Sequence, residues 1–331
     1  MARGRDVHQL DEDDIRVRAN PRGTRPRSKQ RPAHVDADDG MVLTVDRGRY
    51  TVLVGDAEVT AMRARELGRK GIAVGDRVSV VGDLSGDTDT LARIVRIAER
   101  TTVLRRTADD NDPLERVIVA NADQLVVVAA LADPEPSFGL IDRCIVAALT
   151  AGMEPVLCLT KSDLAAPDET LERYAALSVP AIVTHRGGPL DELRERLHDL
   201  VSVLVGHSGV GKSTLINRLI DQAVPRATGV VSAIGKGRHT SSSAIALPLA
   251  DGGWVIDTPG LRSFGLAHVT PDDLLWAFPD LEDGATQCPP GCEHLAASAG
   301  CRLDDWVAAG NATGERLAAF RRLLISRGDA D

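Results

Sequence analysis

The chain has 331 residues, of which 43% are hydrophobic and 26% are charged, and its formal net charge is −9. This balance allows a buried core, which excludes wholesale disorder, and the length suits two or three domains. The longest apolar run, Leu125 to Ala132, is far shorter than the roughly 20 residues of a membrane-spanning helix. The N-terminal residues do not show the charged-then-apolar pattern of a signal peptide, so the sequence predicts a cytoplasmic protein with no membrane partner.

The N-terminal segment differs from the acidic remainder of the chain. Residues 1–37 are rich in Arg, Pro, Asp and Gly and show no apolar period, which predicts a disordered arm. The stretch from Arg16 to Val35 contains basic residues and no acidic one. The arm is therefore a candidate for salt-sensitive binding to RNA phosphates, although such charge runs are more often solvated surface.

Residues 38–106 contain short β-branched runs broken by Gly and Asp. Five such runs in a short segment favour a small Greek-key barrel of the OB-fold type, with a β-sandwich or an SH3-like barrel as alternatives. The predicted strands are Met41–Val45, Arg49–Val54, Glu58–Met62, Arg77–Val81 and Thr90–Ile97.

Residues 107–270 alternate between apolar strand patterns and helical patterns, which predicts an α/β nucleotide-binding domain. The predicted strands are Gln124–Ala130, Pro155–Thr160, Val179–Thr184, Val201–Val205, Ser243–Leu249 and Trp254–Ile256. The predicted helices are Phe138–Ala151, Leu190–Leu200 and Lys212–Ile220.

A glycine-rich loop between a predicted strand and a predicted helix matches the phosphate-loop pattern G-x-x-x-x-G-K-[ST]. Its residues are Gly206, His207, Ser208, Gly209, Val210, Gly211, Lys212 and Ser213, followed by Thr214. In such a loop, Lys212 reaches the β- and γ-phosphates and the hydroxyl of Ser213 ligates Mg²⁺. The alternative, a chance glycine turn, does not explain the flanking strand and helix.

Two further segments complete a predicted magnesium and γ-phosphate site. Asp257 ends a strand and begins the sequence Asp-Thr-Pro-Gly, in which Asp257 suits the Mg²⁺ shell and Gly260 offers an amide to the γ-phosphate. The glycine-rich segment 235–240 ends in Thr240, a candidate Mg²⁺ ligand and catalytic residue of a switch loop. A plain turn and a surface loop are the alternatives for these two segments.

The residue that would orient the attacking water is not evident. Leu261 stands where many GTPases carry a glutamine, and an apolar side chain cannot align a nucleophile. We therefore expect slow intrinsic turnover. Our hypothesis is that His239 orients the attacking water, although a histidine in a basic loop more often contacts phosphate or RNA. The candidate catalytic residues are therefore Lys212, Thr240 and His239.

The sequence Thr160-Lys161-Ser162-Asp163 follows a predicted strand and resembles the guanine-reading motif N-K-x-D, with Thr160 in place of the usual Asn. The carboxylate of Asp163 would accept from the N1–H and the amine of guanine, while the stem of Lys161 lies along the base. A helix N-cap is the common alternative for an isolated motif of this kind. A loop near Val183 to His185 would stabilise the base.

The base motif precedes the phosphate loop, whereas an ordinary GTPase has the opposite order. A sheet accommodates this order if its original ends are joined and the chain is opened elsewhere, which is a circular permutation.

Residues 271–331 form a predicted small helical domain, with helices over Pro271–Phe278 and Thr313–Arg327. Between the helices, Cys288, Cys292, His294 and Cys301 supply three thiolates and an imidazole, the ligand set of a closed structural zinc site. The predicted fold is thus multidomain: an OB-fold β-barrel, a circularly permuted α/β P-loop GTPase domain and a small α-helical zinc-binding domain.

With these motifs in this order, residues 38–325 resemble the circularly permuted GTPases that depend on the small ribosomal subunit. The resemblance implies GTP hydrolysis stimulated by that subunit, late in its maturation. It implies GTP or GDP, the small subunit with its rRNA and further assembly factors as partners, one structural Zn²⁺, and Mg²⁺ bound with GTP. We expect a monomer.

Other functions stay open at this stage. The chain could be a GTP-dependent RNA-binding scaffold in which hydrolysis is incidental, or a P-loop kinase or ATPase with an accidental T-K-x-D. RNA contacts are expected from the arm, from the barrel and from basic residues of the last helix. Those residues are Arg316, Arg321, Arg322 and Arg327.

Overall fold

Five N-terminal strands close into a barrel in the computed structural model, which describes residues 34–68, 71–87, 90–107, 115–220, 244–258, 266 and 269–327. The strands are β1 (Asp38–Asp46), β2 (Arg49–Val54), β3 (Ala57–Arg63), β4 (Arg77–Gly82) and β5 (Ala92–Ile97). They pair in the order β1-β2-β3-β5-β4, and β4 pairs again with β1. This closure confirms the OB-like barrel and excludes two sheets packed face to face.

The barrel encloses its own apolar core. Alternate residues of each strand point inwards, as the two-residue period of a strand requires. Its buried side chains include Val42, Val52, Val59, Val80 and Ile94, all of them 0% exposed. On the opposite face of β1, Met41 and Leu43 pack into a different core, so β1 is buried on both faces.

A two-stranded ribbon that the sequence reasoning missed follows the barrel. β6 (Val103–Thr107) pairs antiparallel with β7 (Glu115–Ala120). The ribbon approaches the barrel through the backbone, because the N–H of Ala120 donates to the carbonyl of Val74 at 2.9 Å. The predicted boundary after residue 106 lies inside this ribbon.

The central sheet has the strand order β10-β9-β8-β11-β13-β12. Its strands are β8 (Gln124–Ala130), β9 (Glu154–Thr160), β10 (Ala181–Val183), β11 (Val201–Val205), β12 (Ile245–Pro248) and β13 (Trp254–Asp257). All neighbours are parallel except β12 with β13. All seven residues of β8 are buried, as expected for a parallel strand covered on both faces.

Four helices accompany this sheet: α1 (Phe138–Thr150), α2 (Asp168–Ala175), α3 (Asp191–Leu197) and α4 (Lys212–Leu219). The predicted helix over Leu190–Leu200 is too long, because the backbone becomes extended at His198. The sheet also continues into the barrel, since Thr44 of β1 pairs with Ile245 of β12.

Helices make up the regular structure from Thr270 to Arg327, where the structure describes no strand. They are α5 (Pro271–Leu275), α6 (Pro279–Ala285), α7 (Leu303–Ala308) and α8 (Gly314–Ser326). The predicted helix Pro271–Phe278 is too long and ends at Leu275. Pro279 disfavours a helical conformation at Phe278 and starts α6 instead.

The C-terminal helices complete the core on one face of the central sheet. Phe278 and Phe320 are fully buried and meet edge to face with ring centroids 5.1 Å apart. They share a continuous apolar cluster with Ile141 and Ile145 of α1. In the part of the chain that the structure describes, no helix combines the length and the apolar character needed to cross a bilayer.

Candidate nucleotide site and metal centre

Three separated motifs meet at one edge of the central sheet. β9 ends at Thr160, β11 at Val205 and β13 at Asp257. Because these strands are parallel and β8 alone separates β9 from β11, their carboxyl ends lie side by side. Open α/β sheets bind ligands in the crevices outside these ends. Asp163 and Lys212 therefore follow strands that end on the same side of the sheet.

The loop between β11 and α4 turns tightly enough to require glycine at two positions. A Cβ at Gly206 would lie 2.5 Å from the carbonyl oxygen of Val128, which real side chains do not tolerate. Gly211 is the N-cap of α4 and has φ +93°, in the left-handed region that favours glycine. Val210 is buried beneath the loop, whereas residues 207–209 are exposed. An exposed turn that leads into a helix N-terminus is the arrangement of an anion site.

The lysine of this loop contacts the aspartate at the end of β13. Lys212 Nζ forms an ion pair with Asp257 Oδ1 and lies 3.4 Å from the carbonyl oxygen of Thr258. The two charged side chains are only 11% and 22% exposed. Thr258 is buried, and its hydroxyl donates to the carbonyl of Leu204 at 2.9 Å, which fixes the end of β13 against β11. The structure thus brings together two predicted site residues from distant segments.

Thr160 connects the predicted base motif to the phosphate loop. Its buried hydroxyl donates to the carbonyl oxygen of Val210 at 2.6 Å. A threonine in place of asparagine is therefore sufficient to join these two segments.

The rest of the base motif forms a turn that leaves its carboxylate in solvent. Lys161 has φ +60°, and its ammonium donates to the carbonyl of Asp133. The N–H of Leu164 donates to the carbonyl of Lys161 at 2.9 Å and closes the turn, and Asp163 is exposed. The N–H of Ser162 donates to the carbonyl of Thr184 at 3.2 Å. The predicted base-stabilising loop thus lies against the base motif.

The remaining predicted nucleotide residues divide into two groups. Ser213 and Thr214 occupy the exposed first turn of α4, next to Lys212. Thr240, His239, Gly260 and Leu261 lie outside the residues that the structure describes, as does the predicted arm up to residue 33. Asp133 and Thr258 contribute backbone carbonyls that no side-chain pattern could have revealed.

The four predicted metal ligands converge between α6 and α7. The ligand atoms of Cys288, Cys292, His294 and Cys301 all lie within 4.8 Å of one another. Small side-chain rotations would bring them to zinc–ligand distances of about 2.0–2.3 Å. This Cys₃His group fits a metal ion such as zinc and leaves no ligand position open for chemistry.

The surroundings of this cluster suit a cation. Burial and then the neighbouring groups of Cys301 and Cys292 raise the pKa of Cys288, although the N–H of Arg302, 3.2 Å from its Sγ, opposes the rise. A bound dication reverses that rise because it stabilises thiolates. Burial lowers the pKa of His294, which favours the neutral imidazole that ligates metals.

Each of the four last-helix arginines that were expected to contact RNA is engaged within the protein, and their contact with RNA stays a prediction. Arg316 pairs with Asp280 at 3.2 Å, Arg321 with Asp304 at 2.7 Å and Arg322 with Asp142 at 3.3 Å, and Arg327 donates to the carbonyl of Val269 at 2.6 Å. The first three side chains are at most 26% exposed.

Arg322 closes the contact between α8 and α1, because Asp142 lies in the buried face of α1. Burial raises the pKa of Asp142, and Arg322 and Arg173 counteract this rise. The sequence shows the charge of an arginine but not its partner.

Comparison with known proteins places these observations in a family. The model of a family described as RsgA GTPase matches residues 97–267. A protein of Chlorobaculum parvum named small ribosomal subunit biogenesis GTPase RsgA is 34% identical over 303 residues, which cover 87% of this chain and 97% of that protein. A protein of Ectopseudomonas mendocina with the same name is 38% identical over 223 residues, 65% of this chain and 64% of that protein.

Solved structures show the same fold. YjeQ from Thermotoga maritima has a TM-score of 0.63 at 26% identity, covering 89% of this chain and 100% of that one. YloQ, described as a circularly permuted GTPase, has a TM-score of 0.62 at 24% identity, covering 90% and 97%. These likenesses confirm the predicted permuted GTPase fold.

Proposed function

Because this chain belongs to the RsgA GTPase family and is a GTP hydrolase, we propose that it binds the small ribosomal subunit and hydrolyses GTP to drive or check a late step of that subunit's maturation. The observation that supports the proposal is the ion pair of Lys212 with Asp257. It lies at the edge of the sheet where the hydroxyl of Thr160 donates a hydrogen bond to the phosphate loop. The names of its relatives, small ribosomal subunit biogenesis GTPases, supply the ribosomal context.

In the proposed mechanism, each motif binds one part of the nucleotide. Asp163 accepts from the guanine N1–H and amine, while Thr160, Lys161 and Ser162 shape the base pocket. Residues 206–214 surround the phosphates, and Lys212 lies against the β- and γ-phosphates. Gly260 offers its N–H to the γ-phosphate.

Oxygen donors from three segments form the proposed magnesium site: the hydroxyls of Ser213 and Thr240 and the carboxylate of Asp257. Such hard oxygen ligands suit Mg²⁺. When bound, Mg²⁺ neutralises charge on the β- and γ-phosphates. The pair of Lys212 with Asp257 has a role in this scheme, because arriving phosphates compete for the lysine and release the carboxylate towards the metal.

Hydrolysis depends on how the attacking water is oriented. Leu261 cannot bond to water, so we propose that His239 or a group of the bound ribosomal subunit orients it. Intrinsic turnover is then slow, and turnover with the subunit is fast. Replacing His239 by Ala should lower stimulated turnover; unchanged stimulation would assign the orientation to the partner.

The other proposed roles concern binding and folding. Cys288, Cys292, His294 and Cys301 hold one structural Zn²⁺, which when bound cross-links the segment between α6 and α7. The arm from Arg16 to Arg31 and the barrel contact rRNA. We propose a monomer that acts in the cytoplasm, with other assembly factors among its partners.

The decisive experiment measures GTP turnover by the full chain against the concentration of added small ribosomal subunits. We expect strong stimulation in the native chain and loss of turnover in Lys212→Ala, because no other described residue replaces the ammonium at the phosphate loop. Absence of stimulation, with tight GTP-dependent binding to the subunit, would favour a GTP-dependent RNA-binding scaffold instead. A preference for ATP in a binding titration would contradict guanine recognition.

A further inference from the structure

Helix α4 connects the phosphate loop to the loop after β10. The helix begins at Lys212, and near its end the half-buried Arg218 donates from its guanidinium to two backbone carbonyls of that loop. The acceptors are the carbonyl oxygens of Gly188 and of His185, the latter at 3.4 Å. A planar guanidinium fixes the relative position of two acceptors, which a lysine cannot do.

The loop that Arg218 contacts, residues 184–188, is called the His185 loop below. It is closed by the N–H of Gly188, which donates to the carbonyl of His185 at 3.1 Å. The imidazole of His185 packs so closely on Gly188 that a Cβ there would lie 2.6 Å from the ring. Its first residue, Thr184, is buried and accepts from Ser162 of the base motif. The His185 loop is therefore held from two sides, by the base motif and by Arg218.

This arrangement engages the carbonyl groups of the His185 loop and leaves N–H groups available. Within the described part of the chain, the N–H groups of His185 and Arg186 have no backbone acceptor. A guanine presents its O6 as an acceptor where adenine presents an amine donor. Backbone N–H groups beside the base motif are thus suited to select guanine.

We propose that Arg218 is a positioning residue for guanine selectivity. By holding the carbonyls of His185 and Gly188, it keeps the N–H groups of the His185 loop directed at O6 of a guanine whose N1–H and amine are bound by Asp163. Arg218 itself does not touch the nucleotide. The inference rests on the proposed role of Asp163 in binding the base.

The test compares three nucleotides on the full chain by titration calorimetry. GDP carries every guanine group, 6-thio-GDP replaces O6 by a poorer acceptor, and IDP lacks the amine that Asp163 reads. In the native chain we expect both analogues to bind more weakly than GDP. In Arg218→Ala we expect GDP and GTP to weaken equally, by about fivefold to tenfold, the equivalent of one hydrogen bond.

Two ratios distinguish a positioning role from a general loss of stability: the affinity for GDP divided by that for 6-thio-GDP, and the affinity for GDP divided by that for IDP. They are called the 6-thio-GDP ratio and the IDP ratio. In Arg218→Ala the discrimination against 6-thio-GDP should largely disappear, because the loop no longer holds its N–H groups at O6. The discrimination against IDP should persist, because Asp163 is untouched. Arg218→Lys should fall between the native chain and Arg218→Ala, since an ammonium reaches one carbonyl but does not fix two.

Two variants on neighbouring elements serve as matched controls. Arg194 of α3 donates to the carbonyls of Arg218, at 2.7 Å, and of Leu219 at the same end of α4, without touching the His185 loop. Asn217 is the exposed neighbour of Arg218 on α4. Arg194→Ala should leave the 6-thio-GDP ratio unchanged even where it lowers the melting temperature, and Asn217→Ala should match the native chain.

The outcomes separate this inference from the proposed function. If Arg218→Ala binds GDP as the native chain does, or loses affinity with both ratios unchanged, Arg218 only stabilises α4 and the inference is wrong. The same holds if Arg194→Ala abolishes the 6-thio-GDP ratio. If the native chain itself fails to bind GDP, the proposed base site is wrong and the inference falls with it.

Discussion

The barrel and the C-terminal helices are attached to the central sheet in different ways. Among the described residues, the barrel surrounds ten buried apolar side chains, while Met41 and Leu43 of β1 reach the neighbouring core. The buried apolar residues of α5 to α8 instead belong to the cluster that includes α1. The barrel therefore has an apolar core of its own, whereas the C-terminal helices complete the core on one face of the central sheet.

The largest expected effect comes from the metal cluster. Cys292→Ser, or chelation of the native chain, should lower the free energy of unfolding by about 5 kcal/mol, because loss of a structural metal removes folding energy. Since the C-terminal helices share a core with α1, the loss should also destabilise the GTPase domain. Urea unfolding checks this, with Glu293→Gln as the exposed control. Unchanged unfolding after chelation would contradict a structural metal.

A pair of core substitutions tests the comparison directly. Phe320→Ala in α8 should cost about 4 kcal/mol, and Val52→Ala in the barrel about 2 kcal/mol, because each leaves a cavity. In hydrogen exchange, Phe320→Ala should reduce protection in α1 as well as α8. Val52→Ala should reduce it chiefly in the barrel strands. Equal loss of protection everywhere in both variants would mean that the barrel has no independent stability.

The ion pair of Arg100 with the buried Asp76, next to the barrel, offers a third test. Arg100 donates to both carboxylate oxygens of the fully buried Asp76, at 2.7 and 2.8 Å, and this contact raises the pKa of Arg100. Arg100→Ala should cost about 3 kcal/mol by leaving a buried carboxylate unpaired. Thermal unfolding measures the cost, and Arg93→Ala, exposed on β5, should change stability little. Equal losses of stability in the two variants would contradict a specific contribution of the Arg100–Asp76 ion pair.

The smallest expected effect concerns the start of α8. The hydroxyl of Thr313 accepts from the N–H of Arg316 at 3.1 Å and caps the helix. Thr313→Ala should cost about 1 kcal/mol, and Thr313→Ser should restore most of it because serine also caps. Chemical unfolding of both variants measures the difference. A serine variant no more stable than the alanine variant would show that the hydroxyl cap does not stabilise α8.

The sequence was most informative where a residue type has a fixed local consequence. The strands β2, β8 and β11 have the predicted bounds, and the glycines of the phosphate loop are required by a close approach and a positive φ. The ribbon β6–β7 was missed because its first strand is short and carries two consecutive arginines, which weaken the strand pattern. The roles of the predicted nucleotide residues stay predictions.

Contacts with backbone carbonyls were beyond the reach of sequence reasoning. Arg218 and Arg327 both donate to carbonyls, which every residue carries, so no pattern of side chains marks the acceptor. Arg322 finds its partner in Asp142, which lies far away along the chain and is buried in a helix with an apolar pattern. Tertiary packing decided these contacts.

The strand order also affects how the protein is made. Translation delivers β8, β9 and β10 before β11, although β11 pairs with β8 in the centre of the finished sheet. Until Val201–Val205 has left the exit tunnel, the nascent chain carries β8 as an apolar strand with one unpaired edge, which is prone to association. The permuted order of strands thus leaves one edge of the central strand β8 unpaired during synthesis until β11 follows.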